Sequence, residues 1–209
     1  VQTTVSGNYI DNASVEWTNE HSADPDFNGQ QFSFGGLTMT GNTFLCSETL
    51  PWFTWLTVKP YGTGHYIHGL SVIGNVFKAL YGEVTRIERV DTSIADLDYG
   101  NMRNIQFEGN LFNGVVHYVA NPLMVQHDQA STANVWTLPT IVGLPFQGWA
   151  RSVQSVVAEG PITKADGGRV DAMPWVQAEI GTAKRQIRLN WAQPLKGKVC
   201  IYARMDRPK

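Results

Sequence analysis

The most regular feature of the chain is a short alternation of apolar and polar positions that ends in Gly-Asn and resumes with an apolar residue two positions beyond the Asn. It occurs four times, over Thr3 to Ile10, Leu37 to Phe44, Leu70 to Phe77 and Ile105 to Phe112, with the Gly-Asn pairs 34, 33 and 35 residues apart. Alternation with period two marks a strand with one buried face, and it puts Val5, Met39, Val72 and Phe107 inside. Glycine takes positive φ without steric cost and asparagine tolerates it. Each pair therefore predicts a sharp corner, after which Ile10, Phe44, Phe77 and Phe112 point inward again.

If the copies stack as parallel layers about 4.8 Å apart, Asn8, Asn42, Asn75 and Asn110 form an amide ladder at the turn and the three Phe an aromatic one. A recurrent hairpin turn in an antiparallel sandwich is the alternative, but hairpins favour the order Asn-Gly, and about 34 residues exceed a two-strand unit. The expectation is an all-β chain whose residues 1–128 form a right-handed parallel β-helix of about four coils. The chain opens at Val1, without Met, directly on a copy of the repeat, which suggests the C-terminal part of a longer helix.

The pattern also places further strands in each coil. Second strands are expected at Ser14 to Thr18, Trp52 to Val58, Glu83 to Val90 and Val115 to Val119; third strands are expected at Gln31 to Phe34, His65 to Ile67 and Met102. Each coil then carries about ten residues beyond the minimum for short strands and turns. These excess loops are Asn19 to Gly29, Lys59 to Gly64 and Asp91 to Tyr99.

After Asn121-Pro122 the repeat stops, and a polar stretch, Gln126 to Asn134, leads into a different texture over residues 135–209. Short strands at Ser152 to Val157, Trp175 to Ile180, Gln186 to Trp191 and Lys198 to Ala203 alternate with turn segments such as Pro194-Leu195-Lys196-Gly197. Turn signals about every ten residues predict a small antiparallel β-sandwich, serving to cap the helix or to oligomerise.

Composition narrows the chemistry. Sixteen basic against 18 acidic residues, with no block of like charge, removes the footprint of a nucleic-acid binder. No apolar run is long enough for a membrane helix, so membrane insertion is not expected. Cys46 and Cys200 lie far apart and read as two buried thiols. The five histidines have no metal-ligand spacing, so neither metal nor cofactor is expected. Glu16 and Glu83 each fall nine residues after the Gly of their repeat. In equivalent places two coils apart they are a weak candidate for a catalytic pair at about 10 Å, near the separation an inverting glycosidase uses. Asp91, Asp96 and Asp98 read first as solvated loop charges. Trp52-Phe53-Thr54-Trp55 alternates so that Trp52 and Phe53 cannot both face in, and Tyr61, Tyr66, Tyr81 and Tyr99 fall near loops; Trp52, Trp55, Tyr61, Tyr66 and Tyr81 are the candidate carbohydrate-binding rings, since flat apolar faces beside carboxylates and amides suit sugars. Padding of the walls or of contacts between subunits is the competing role for them.

The stacked Gly-Asn-x-Phe copies resemble the pectate-lyase-like right-handed β-helix superfamily, which includes glycosyl-hydrolase-28-related proteins and phage tailspikes. The likeness covers about residues 1–128. It implies a homotrimeric tailspike or tail-fibre protein, virion-borne or extracellular, that binds or cleaves cell-surface polysaccharide. The polygalacturonase motifs Asn-Thr-Asp, Asp-Asp and Gly-His-Gly are absent, so no catalytic residue carries over. A polysaccharide hydrolase or lyase and a structural adhesin are the alternatives.

Overall fold

The computed structural model describes residues 2–21, 33–139 and 141–207. Its strands fall into two compact units, residues 1–121 with 207–209 and residues 122–206. The polar stretch Gln126 to Asn134, expected to separate the modules, lies inside a strand of the second unit.

Among its described residues the first unit contains eleven strands: β1 (Thr3–Ser6), β2 (Tyr9–Asp11), β3 (Val15–Asn19), β4 (Phe34–Thr40), β5 (Thr43–Glu48), β6 (Leu56–Pro60), β7 (Ile67–Ile73), β8 (Val76–Tyr81), β9 (Glu88–Val90), β10 (Arg103–Glu108) and β11 (Leu111–Asn113). They form three parallel sheets in the orders β1-β4-β7-β10, β2-β5-β8-β11 and β3-β6-β9. Parallel pairing excludes the recurrent-hairpin alternative for this unit, because a hairpin pairs its strands antiparallel.

Register follows the repeat. Met39 pairs with Val72 and Val72 with Phe107, and all three are buried. On the next sheet Phe44 and Phe77 stack at 4.9 Å, and Phe77 and Phe112 at 6.0 Å. The corner glycines Gly7, Gly41, Gly74 and Gly109 all have φ between 62° and 64°, a region in which a Cβ is strained. Each corner Asn then donates twice to the next. The backbone N–H and side-chain Nδ2 of Asn8 both reach Asn42 Oδ1, those of Asn42 reach Asn75 Oδ1, and those of Asn75 reach Asn110 Oδ1, all within 2.9–3.1 Å. The second Nδ2 hydrogen goes back to a carbonyl of the preceding repeat: Asn42 to Val5 at 2.8 Å, Asn75 to Met39 at 2.9 Å and Asn110 to Val72 at 2.8 Å. Buried Asn42 and Asn75 are thereby satisfied, as burial of an amide demands.

Several elements differ from expectation. The expected third strands are continuous with the repeat strands, since Phe34 and Ile67 open β4 and β7; residues 31 and 32 lie outside the described residues. The loop expected at Asn19 to Gly29 also lies largely outside them. Val115 to Val119 contributes only a single parallel bridge, Val84 to Val115. The segment instead turns under the fourth repeat, where Tyr118 stacks on Phe112 at 5.2 Å and Asn121 exchanges two backbone hydrogen bonds with Phe107.

The second unit contains β12 (Leu123–Thr137), a short 3-10 turn (Pro145–Gln147), β13 (Ser152–Ala158), β14 (Trp175–Ile180) and β15 (Gln186–Arg204). All four strands belong to one antiparallel sheet, with β12 along one side of β15 and β13 and β14 along the other. Two separately bonded sheets, as a sandwich was expected to have, are not what these strands form. The reason lies at Pro194 to Gly197, which reads as a turn but sits within β15. Between Ala133 and Val135 of β12 the partner register jumps from Leu195 to Asn190. Pro194, which has no N–H to give a ladder, falls in that irregularity, where no ladder bond is asked of it. Trp136 and Trp191 pack at 4.8 Å in this unit's core, and Trp136 Nε1 donates to the Leu195 carbonyl.

Candidate functional site

Corner length varies between repeats while the strands stay in register. Four residues carry the chain from Asp11 to Val15, but eleven separate their partners Leu45 and Leu56, and ten separate Lys78 and Glu88. The surplus in the second repeat overhangs the short corner of the first. Between them lies a cavity of about 300 Å³ lined by Asn12, Ala13, Ser14, Cys46, Glu48, Leu50, Trp52 and Phe53.

Local turn chemistry decides which ring of Trp52-Phe53-Thr54-Trp55 faces water. Phe53 N–H donates to the Leu50 carbonyl at 2.9 Å, closing a four-residue turn with Pro51 and Trp52 at its centre. Proline presets the first central position of such a turn, and the next residue is thrown outward; Trp52 is 62% exposed. Phe53 turns back to meet Trp55 edge-on at 5.5 Å. On the opposite lip Asn12, at φ 50°, ties the two repeats together. Its Nδ2 donates to Ser47 Oγ and its Oδ1 accepts from Ser47 N–H, both at 2.8 Å.

Among the described residues Glu48 is the one carboxylate lining this cavity, and it is exposed. The Cys46 thiol at the cavity floor donates to the Glu48 carbonyl at 3.2 Å. Burial pushes its pKa up, the hydrogen bond opposes that shift and nearby Asp11 adds to it. The sulfur is therefore held as a thiol, which removes the nucleophilic form. Tyr81, 73% exposed, is the register partner of Glu48 in the third repeat, and Thr49 Oγ1 donates to its carbonyl. The second-repeat corner thus brings Trp52, Glu48 and Tyr81 to one end of the β5–β8 pair.

The other sequence candidates are dispersed. Trp55 is fully buried and touches Phe77 at 5.4 Å, so its ring is core and unavailable to a sugar. Tyr61 follows β6 on the third sheet, where Lys59 lies 5.5 Å from its ring. Half-buried Tyr66 precedes β7 and holds Ser33 through backbone bonds.

Glu16 and Glu83 are not equivalent. Glu16 pairs with Thr57 and Thr57 with Arg89, whereas Glu83 lies in the corner before β9. Counting from the glycine failed because the second and third repeats lengthen the same corner. The loop carboxylates are committed to local turns. Asp98 accepts from Gly100 N–H and Asn101 Nδ2, Asp96 from Leu97 N–H, and Asp91 from Ser93 N–H, with Lys59 3.5 Å from Asp91.

Among the described residues no three His, Cys, Asp or Glu side chains gather as a metal ion would require, and no helix is long and apolar enough to cross a membrane. No known protein family, curated protein or solved structure matches the chain. Asn12 and Glu48 were not singled out from the sequence. The signal that finds them is the difference in spacing between a corner and the next strand in successive repeats.

Proposed function

We infer that the three parallel sheets are the walls of a right-handed parallel β-helix. We further infer that the chain belongs to a receptor-binding tailspike or fibre of a phage-like particle, homotrimeric and virion-borne or extracellular, that recognises cell-surface polysaccharide. The winding is supported by parallel pairing of successive repeats on all three walls, four strands on two of them and three on the third, and the hand by the strong preference of parallel crossovers for the right-handed sense. The glycan reading rests on one observation: exposed Trp52 and the Glu48 carboxylate of the second repeat share a cavity of about 300 Å³ with the Asn12 amide and Ser14 hydroxyl of the first-repeat corner. A ring face stacks on the apolar face of a pyranose while the polar groups take its hydroxyls.

A depolymerase finds less support, because Glu16 and Glu83 occupy different places in the coil. Binding to an array of bacterial surface glycans tests the reading. Trp52→Ala is expected to weaken binding at least about tenfold, equivalent to about 1.4 kcal/mol, and Tyr81→Ala to weaken it less. Unchanged binding in Trp52→Ala sinks the assignment of the site, and a monomer in sedimentation sinks the trimeric fibre.

A further inference from the structure

The sheet of the second unit has one covered face and one open face. Along β15 the odd-numbered residues Ile187, Leu189, Val199 and Ile201 are at most 1% exposed, whereas Arg188, Lys198 and Tyr202 of the alternate set are exposed. Cross-strand partners share a side of a sheet, so register lays out the open face in rows. Met124, Tyr202 and Ser155 form one row, and Gln126, Cys200 and Val157 the next. Asp128 and Lys198 make the third, which Glu159 joins through its N–H bond to the Lys198 carbonyl at 2.9 Å.

The rows differ in chemistry. In the first, the Tyr202 hydroxyl reaches Met124 Sδ at 3.7 Å, so the ring lies across the strand pair and turns a face outward. From the second, Gln126 Nε2 donates to both carboxylate oxygens of Glu159, at 2.9 and 3.1 Å. This clasp spans β15, and Cys200 between its ends is buried. In the third, Lys198 Nζ stands 3.0 Å from Asp128 Oδ2. Asp128, and after it Glu159, raise the Lys198 pKa, so one ammonium faces two carboxylates. Two cavities of about 270 and 320 Å³ adjoin at this row. Asp128, Glu159 and Lys198 line both; Gln126 adds to the first, and Thr163 and Lys196 to the second.

We propose that this face is a second saccharide site, taking a short run of neutral sugar residues laid along β15 from the Tyr202 ring into the two cavities. Charge and shape select that ligand. Asp128 and Glu159 are matched by Lys196 and Lys198, so the cavities carry no net charge to draw an ion. The Asp128–Lys198 pair is more than half exposed on both sides and therefore weakly held. Both groups are free to exchange partners with hydroxyls, the carboxylates accepting and the ammonium donating, while the outward ring covers the apolar face of a pyranose. Tyr202 lies four residues from Lys198, about 13 Å along the strand, which is longer than one sugar ring. The inference rests on the glycan reading of the chain but not on the Trp52 corner, with which it shares no residue.

Binding of the full chain to neutral and acidic members of a bacterial surface-glycan array tests it, with sedimentation of each variant alongside. Tyr202→Ala and Glu159→Gln are each expected to weaken binding of neutral glycans at least about fivefold. Asp128→Asn, at an exposed position where the fold tolerates the change, is expected to weaken it in the same direction. Trp52→Ala is expected to leave residual binding that adding Tyr202→Ala removes. Wild-type affinity in all three variants of the second unit, with Trp52→Ala weakened, overturns this site and leaves the glycan reading standing. No wild-type binding to any member overturns both. Binding of acidic glycans alone, lost in Lys198→Met, overturns the neutral ligand. A changed sedimenting mass in Tyr202→Ala assigns the face to contact between copies of the chain and overturns the site.

Discussion

Asn75 is the residue on which the polar ladder depends most. It is fully buried; its Oδ1 takes two N–H groups of Asn42 and its Nδ2 reaches Asn110 and the Met39 carbonyl. Truncation to Ala leaves buried donors on Asn42 and a carbonyl on Met39 without partners, at about 1–3 kcal/mol per stranded group. Asn75→Ala is therefore expected to lose about 2–5 kcal/mol in urea unfolding, and exposed Asn8→Ala clearly less; equal losses contradict the ladder as a source of stability. A second residue-scale expectation concerns the Lys59–Asp91 pair. Tyr61, then Asp91, hold the Lys59 pKa above 10.5, and the Ser93 hydrogen bonds, with Lys59 contributing, hold Asp91 below 3.8. The Asp91 contribution is complete above 3.8 and fades as pH falls through the lowered value. The stability gap between wild type and Lys59→Met should therefore be flat from 3.8 to neutral pH and narrow as pH falls below 3.8. A gap that widens in acid contradicts the pairing.

Among the elements, the stacked strands β5 and β8 carry the aromatic ladder, and Phe77 is its middle ring, in contact with Phe44, Phe112 and Trp55. Phe77→Ala is expected to cost about 3–5 kcal/mol, and a calorimetric loss below about 1 kcal/mol counts against a rigid stack. The repeat strands were legible in the sequence because each Gly-Asn corner announces the same backbone turn, and because alternation around it fixes which side faces in. Corner length was not. Glycine-based counting aligned Glu16 with Glu83, but the register of β3, β6 and β9 is set by the strands' own pairing, and the surplus bulges outward before it. Trp52 and Trp55 likewise looked alike, and a single turn around Pro51 separates them into an exposed ring and a core ring. In β15, Pro194 and Gly197 imitated a hairpin because a proline marks either a turn or an irregularity in a ladder, and only the partner strand tells which.

The whole molecule consists of two units, each with its own buried core. In the second, Ile201 is fully buried near the C-terminal end of β15, paired to Val125 on one side and Val156 on the other. Units with separate cores unfold separately unless a large apolar interface couples them. Ile201→Ala, at about 2–5 kcal/mol, is expected to speed hydrogen exchange across β12 to β15 and leave β4 to β10 unchanged, and Phe77→Ala to do the reverse. Uniform acceleration in either variant identifies one cooperative block.

The corner amides also govern how the molecule ages. Deamidation of an asparagine replaces NH2 by a charged oxygen, so at Asn42 or Asn75 it would turn two donated hydrogen bonds into carboxylate–oxygen repulsions inside the stack. Both side chains are buried, and their amide hydrogens are already committed to neighbours. Asn113, by contrast, is exposed and followed by Gly114, the least hindered neighbour for ring closure onto the side chain. Among the described residues chemical damage is thus steered toward the end of β11 and away from the column that joins the repeats, and the same packing that builds the ladder also preserves it.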